Sequence, residues 1–341
     1  MIDFEREVIL DPDALRRWCE VHVEHPPATI LSQPRPLSGG LLNHVWMVDA
    51  APSPFVLKWS PDHIASAPSI ALDPRRSCFE ARALELLAET PSLAELMTSS
   101  GVRAPALLAS TRDPWVIAME YVEAAGDITQ RATSRGFEQD ARDLGIFIGA
   151  LHAETEGDLE LARVMRNDSV QETRAVVQYD ALAQWLSERG RGMEAETLRA
   201  LGQRFLQPGC CLIMGDLWPP SVLVSARDEL VIIDWEFSHY GHPAQDVGHL
   251  CAHLWLGWRR TGVSRFREQL DAFLVGYTSR NALSPAAWRC TSQHFGAELL
   301  ARTVGAFAIE GLEPARVECV VEDALDAMRD PLSGIFTAFV G

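Results

Sequence analysis

The stretch from Cys211 to Leu250, CLIMGDLWPPSVLVSARDELVIIDWEFSHYGHPAQDVGHL, constrains the fold more than any other. It opens on an apolar run, Cys211-Leu212-Ile213-Met214, with the length of a buried strand. Gly215 and Asp216 follow. Pro219 and Pro220 then bar both helix and ladder pairing, so Asp216 is expected on a loop. Ser221-Val222-Leu223-Val224 and Leu230-Val231-Ile232-Ile233 predict two more strands around a turn at Ala226-Arg227-Asp228-Glu229. Asp234 comes where the third strand ends, with Glu236 two residues on. Two isolated acids, Asp216 and Asp234, are thus expected at the ends of neighbouring strands, 18 residues apart, where a hairpin can bring them together.

Such a pair suits phosphoryl transfer. One carboxylate accepts the proton of an attacking hydroxyl, and another holds the magnesium that neutralises the phosphates. Either acid alone would read as an ordinary turn residue beside a strand; the ordered set carries the chemistry. The stretch resembles the catalytic and metal loops of the aminoglycoside phosphotransferase and protein kinase-like superfamily. It is most similar to the branch that holds methylthioribose kinases and the fungal 4-hydroxytryptamine kinases. The resemblance implies that Asp216, in Gly-Asp-Leu, is the catalytic aspartate. It makes Asp234, in Asp-Trp-Glu, the metal aspartate. Asp246, in GHPAQDVGHL, matches an acid that braces the catalytic loop from the following helix.

Two positions depart from the pattern. Met214 stands where histidine is usual, and Ser221 where an asparagine metal ligand is common. These departures point to a sub-branch, and they keep a second reading open, a catalytically silent nucleotide-binding pseudokinase or scaffold. A serine hydroxyl is a poorer ligand than an amide oxygen for a hard cation. Glu236 is therefore expected to supply the missing oxygen, because in an extended segment it points to the same side as Asp234. The alternative is that Ser221 holds a magnesium-bound water.

Upstream, Phe55-Val56-Leu57-Lys58-Trp59 is an apolar strand with one lysine, whose charge needs an anion or water. The Gly39-Gly40 pair before it is a weak signal alone, since glycines also serve ordinary hairpins. Asp73-Pro74 starts a helix to about Ala88, and residues 104–110 and 115–122 predict strands. On the resemblance, Ser38, Gly39, Gly40 and Asn43 form the nucleotide loop, and Lys58 binds phosphate with Glu80 as its partner. Glu120 and Val122 then fall at the hinge that meets adenine through main-chain groups. Residues 1–122 become a nucleotide-binding lobe with a five-stranded antiparallel sheet and one helix. Residues 123–341 become a larger, mainly helical lobe for catalysis and substrate.

A helix is expected over 11–23, a loop over 61–68, and a strongly amphipathic helix over 136–153. An insert at 174–206 should be helical in two pieces, on the substrate side. Helices at 243–258, 263–279, 285–311 and 316–329 follow. FGAELLARTVGAFA resembles the helix that carries paired arginines toward substrate in methylthioribose kinases; Arg302 remains, and Ala301 takes the other place, which argues against methylthioribose itself. Trp218 and Arg302 are expected to border the acceptor pocket.

The net charge of −17 opposes nucleic acid or anionic membrane as partner. Seven cysteines, without metal-type spacing, read as reduced thiols. The opening MIDFEREVILDPD lacks a signal-type apolar region, and no run approaches the ~18 apolar residues of a membrane span. A cytoplasmic enzyme is expected, of unspecified oligomeric state. The sequence therefore predicts an α+β, bilobal protein kinase-like fold that uses ATP and Mg2+ to phosphorylate a small-molecule hydroxyl.

Overall fold

The computed structural model describes residues 18–19, 21–23, 29–37, 40–113, 115–309, 312–331 and 334–339. The fold is the bilobal α+β arrangement. Strands Arg35–Pro36, His44–Val48, Phe55–Trp59, Val116–Glu120 and Leu107–Ser110 lie side by side in that order, all antiparallel. Side chains alternate across the sheet. Phe55, Leu57 and Trp59 pack with Trp46, Val48, Val116 and Ala118 on one face, beneath Trp18, Cys19 and Val23. Val56, Ile117 and Met119 meet Ala81 of the following helix on the other. The two-residue period puts Lys58 on that second face, which is why it can reach the helix. Of the helix expected over 11–23, Trp18, Cys19, Val21 and His22 are helical, Val23 is not, and the rest lies outside the described residues.

Two expectations for this region are corrected. The single helix is two, Arg76–Glu89 and Pro91–Ser100. The chain leaves helical geometry at Thr90 (ψ 116°), and Pro91 at the first position of the second helix restarts it without losing a needed N–H. The loop expected over 61–68 contains a small hairpin, His63–Ile64 against Ala67–Ala71. Ile64 and Leu72 give it a reason to order, because they bury against Val170 of the larger lobe.

The larger lobe is built on the helix Phe137–Glu154, packed against Arg265–Thr278, with Ala244–Thr261, Pro285–Thr303 and Pro314–Arg329 beside them. The helix expected to reach 311 ends at Thr303, where Val304 turns to φ −130°. The insert is helical over Asp168–Arg174, Ala175–Asp180, Ala181–Ser187 and Gly192–Phe205, and its second piece is a π-turn. Strands Cys211–Ile213 and His239–Gly241 pair with each other, and Val222–Ser225 pairs with Leu230–Ile232 inside that outer pair. Two nested hairpins, and not one, therefore bring Asp216 and Asp234 together. Val102–Arg103 adds to this lobe in parallel alongside Leu230–Ile232, and Ala124–Asp127 pairs with Val222–Ser225. Leu84, Leu87, Leu93 and Val102 share one continuous core with Leu144, Phe147 and Ile148. Among the described residues no helix is long and apolar enough to cross a membrane.

Helices Phe137–Glu154 and Arg265–Thr278 meet through glycine. A Cβ on Gly145 would stand 2.1 Å from Phe273 O, and one on Gly276 would stand 2.1 Å from Arg142 O. Both obstacles are backbone, which cannot swing aside. Gly145→Ala should therefore destabilise the fold by about 1–3 kcal/mol, the usual cost of overpacking, seen as a lower urea midpoint. A midpoint unchanged from wild type would contradict this account of the interface.

Burial holds several histidines neutral. His239 and His249 are each pushed down to about 4, and His294 further still. A base with a depressed folded pKa contributes stability that is complete above its ordinary value near 6.5 and is lost as pH falls through the folded value. Glu80 acts the other way: burial, then the nearby Glu236 and Asp234, push it up to about 7 against the pull of Lys58. Three histidines against one glutamate predict net destabilisation between pH 6.5 and 4, read as a falling urea midpoint from pH 7 to pH 5. A midpoint that is flat or rises over that range would refute it.

Candidate active site

Asp216 follows the strand Cys211–Ile213 on a loop that other residues fix atom by atom. Asp246, fully buried in the first turn of Ala244–Thr261, accepts from Met214 N and Gly215 N, both at 2.8 Å. Its carboxylate also meets His152 Nε2 at 3.2 Å. Burial would raise the Asp246 pKa, but His152 and the two backbone donors outweigh it and hold the acid ionised below its usual range. Gln245 Nε2 donates to Gly215 O at 2.8 Å. Gly215 itself has φ 83°, and a Cβ there would lie 2.3 Å from Phe237 O, so the position admits only glycine. Met214, at the histidine position, is buried in the core, and only its N–H takes part in the brace.

Asp234 sits in left-handed geometry (φ 62°, ψ 55°) and opens a 3-10 turn over Trp235–Phe237. Lys58 Nζ, buried in the cleft, lies 2.8 Å from Glu80 Oε2, 2.9 Å from Asp234 Oδ1 and 3.3 Å from Glu236 Oε1. Burial works to lower the Lys58 pKa, but the three carboxylates, Asp234 first, hold the ammonium charged well above its usual range. Asp234 is about half exposed, at 48%, and none of the hydrogen bonds seen here engages its Oδ2.

The expectation for Glu236 is corrected in its geometry. The segment is not extended, because the left-handed Asp234 and the 3-10 turn redirect it. Glu236 is buried, and both its oxygens are engaged: Asn43 Nδ2 donates to Oε1 at 2.7 Å and Arg76 Nε to Oε2 at 2.9 Å. Ser221 is corrected too. Its hydroxyl, fully buried, donates to Trp218 O at 2.7 Å and accepts from Trp218 N at 3.3 Å, which closes the proline turn, and Ser221 is not among the residues that line the pocket with Asp234. Among the described residues no group of three or more His, Cys, Asp or Glu side chains is arranged to hold a metal.

One pocket is lined by Gly40, Asn43, Lys58, Asp216, Trp218, Asp234, Glu236 and Arg302 together. Ser38 and Gly39 lie outside the described residues. Glu120 and Val122 are not part of it; they line a separate cavity of about 400 Å³ with Arg103, Phe55 and Arg227. Glu120 N–H is spent on Ala106 O at 2.9 Å, and its carboxylate accepts from Arg103 at 2.7 and 2.9 Å. The Arg302 guanidinium lies 5.1 Å over the Trp218 ring, and its Nε donates to Glu298 Oε1 at 2.7 Å.

Three residues escaped the sequence reading. Arg76, fully buried, donates to Glu236, Asn43, Pro61 O, Leu72 O and Leu42 O, tying the loop at Leu42 and Asn43 to the turn that carries Glu236. A basic residue in the first turn of a helix opposes the helix dipole, and that anomaly was its signal. Arg174 pairs with Asp216 at 2.9 Å and lies 5.2 Å over the Phe237 ring. Glu298, buried in the wall of the same pocket, meets Arg302, His253 Nε2 at 3.0 Å and Gln178 Nε2 at 2.7 Å. An acid inside the apolar run Gly296-Ala297-Glu298-Leu299-Leu300 was visible but was passed over for Arg302.

Known proteins resemble this chain in sequence and in fold. A 4-hydroxytryptamine kinase of Psilocybe cyanescens is 25% identical over 340 residues, spanning 89% of this chain and 90% of the relative. An amicoumacin kinase solved with AMP-PNP and Ca2+ superposes with a TM-score of 0.53 at 13% identity, covering 96% of both chains. A spectinomycin phosphotransferase solved with ADP and spectinomycin gives 0.53 at 14% identity, over 92% of this chain and 97% of its own. Those two establish likeness of fold alone. Residues 33–285 match the model of the phosphotransferase enzyme family known as APH, which is most of the chain, and the protein belongs to that family.

Proposed function

We propose that this kinase moves the γ-phosphoryl group of ATP to a hydroxyl of a small molecule, with Asp216 as the base. The observation that carries the reading is the meeting of Asp216, Asp234 and Lys58 in one pocket from three separate elements, with Glu80 paired to the lysine from a fourth. Asp216 Oδ1 is taken by Arg174, while none of the hydrogen bonds seen here engages Oδ2, which leaves that oxygen for the acceptor. As the acceptor oxygen bonds to phosphorus and the bond from phosphorus to the ADP oxygen breaks, the hydroxyl proton passes to Asp216. Lys58 offers its ammonium to the phosphates.

Asp234 fits a magnesium ion, which kinases hold by one or two carboxylates, the nucleotide phosphates and water. Its half-exposed carboxylate keeps one oxygen clear of Lys58. The ion, when bound, neutralises phosphate charge. Glu236 we assign to holding Asn43 and Arg76, and through them the shape of the loop from Gly40 to Asn43. On the acceptor side, Trp218, Phe237, Phe307, Val177, Ile64 and Leu72 make a largely apolar wall. With the hydroxytryptamine kinase relative, this favours a compact alcohol with an apolar or aromatic body. No feature of the site favours a catalytically silent protein.

The test is ADP release from ATP and Mg2+ across hydroxyl-bearing amines (4-hydroxytryptamine among them), sugars and antibiotics. Stimulation by none of them would count against the reading. Asp216→Asn should cut turnover by roughly a hundredfold or more, with AMP-PNP binding near wild type. Unchanged turnover would remove Asp216 as base. Lys58→Ala should weaken AMP-PNP binding more than Glu80→Ala, because Glu80 acts only through the lysine. The reverse order in a calorimetric titration would overturn that assignment.

A further inference from the structure

Asp216 is useful as a base only if one carboxylate oxygen faces the acceptor. A carboxylate on a loop has a soft terminal torsion and several orientations open to it. In this chain the choice is made from outside the loop. Arg174 Nη2 donates to Asp216 Oδ1 at 2.9 Å, and Nη1 donates to Gly215 O. The same guanidinium therefore grips both the side chain and the backbone of the loop, a planar fork that lysine cannot reproduce. Its side chain is only 11% exposed, and its face lies against Phe237 of the metal loop.

What aims Arg174 is the insert itself. Arg174 closes the helix Asp168–Arg174, and the next turn, Ala175–Asp180, is π-helical. Arg174 Nε donates to Gln178 Oε1 at 2.9 Å, and Gln178 Nε2 donates to Glu298 Oε2 at 2.7 Å. Glu298 is fixed in turn by His253 and Arg302. Asp216 is thus the end of a chain of directed bonds that begins in the helix Pro285–Thr303 and crosses the back of the acceptor pocket. Each amide and carboxylate in it has one orientation that satisfies both neighbours, so the chain fixes a geometry and not only a charge.

We propose that Arg174 is the positioning residue of the base: it ties off Asp216 Oδ1, turns Oδ2 toward the acceptor, and takes its own aim from Gln178 and Glu298. This rests on the kinase reading above. The wall that contacts the acceptor and the group that aligns the base are then one unit, so the insert contributes to rate as well as to acceptor choice.

Arg174→Met, Arg174→Lys and Gln178→Leu test it. ADP release from Mg-ATP is measured with the panel acceptor of fastest wild-type turnover. AMP-PNP binding and thermal midpoint are measured alongside. Arg174→Met should lower kcat roughly ten- to a hundredfold, the scale of a small misplacement of a reacting group. AMP-PNP affinity and the KM for ATP should stay within about twofold of wild type, a small fraction of that kcat loss. Arg174→Lys should recover part of the loss, and Gln178→Leu should fall between wild type and Arg174→Met. Unchanged or raised kcat would overturn the proposal, the second by making Arg174 a plug. A rise in acceptor KM alone would make it a substrate contact and overturn it too. If Arg174→Met does not fold, the same readings on Gln178→Leu and Arg174→Lys decide. If wild type turns over no acceptor, the kinase reading fails by itself. A crystal structure of Arg174→Met then decides this inference, which is lost if Asp216 keeps its orientation.

Discussion

Lys58 is the charge on which the two lobes agree. It comes from the sheet, Glu80 from the helix behind it, and Asp234 and Glu236 from the far lobe. An ammonium this deeply buried is untenable without partners, and a carboxylate beside it equally so; removing one member of a buried ion pair typically costs about 3–5 kcal/mol. The arrangement is a mutual requirement. Arg76 extends it, so that two cations face three acids in one buried patch. Burial lifts Glu80 toward neutrality, and the surplus negative charge adds to it against the pull of Lys58. A polyanionic nucleotide with its metal would enter a place already balanced to within about one charge.

Two buried arginines share the work of shaping the loops. Arg76 holds the carboxylate of Glu236, and Arg174 holds that of Asp216. Each also accepts a second duty toward backbone, Arg76 at Pro61 O, Leu72 O and Leu42 O, and Arg174 at Gly215 O. Guanidinium suits this because its donors diverge in one plane and its charge survives burial. Asp246 does the converse from below, offering acceptors to the backbone donors of Met214 and Gly215. The loop that carries Asp216 is thus pinned on both sides by groups of opposite sign.

Much of this was legible in the chain. Strand alternation and isolated acids announced the strands and the two loops, because each is a local pattern with a local cause; the Lys58–Glu80 pair came from the family resemblance. What failed depended on distant partners. Glu236 could be placed near Asp234 by spacing, but its orientation followed from a left-handed residue that no pattern marked. Ser221 matched a ligand position of the family, and its hydroxyl bonds to Trp218 across the turn made by Pro219 and Pro220, a contact that position alone does not reveal. Arg174 and Glu298 sit in helices whose apolar stripes draw the eye, and their meaning comes from residues more than forty positions away: Asp216 lies 42 from Arg174, and Gln178 lies 120 from Glu298. The second helix after Thr90 was missed because Pro91 reads as a stop as readily as a start.

The short strand Val102–Arg103 has a mechanical meaning. It is bonded into the ladder of the larger lobe, while the chain crosses between lobes again after Glu120. Arg103 joins the two crossings directly, through Glu120 and through Glu229 at 3.1 Å. A body hung from a single thread can swing in any direction; one hung from two points can turn only about the line between them. The five-stranded sheet is suspended in the second way. Covalent connection alone would leave it a rotation like that of a door, about a line beside Arg103, and the Lys58 ion pairs and the Ile64, Leu72 and Val170 contact are what oppose that turn.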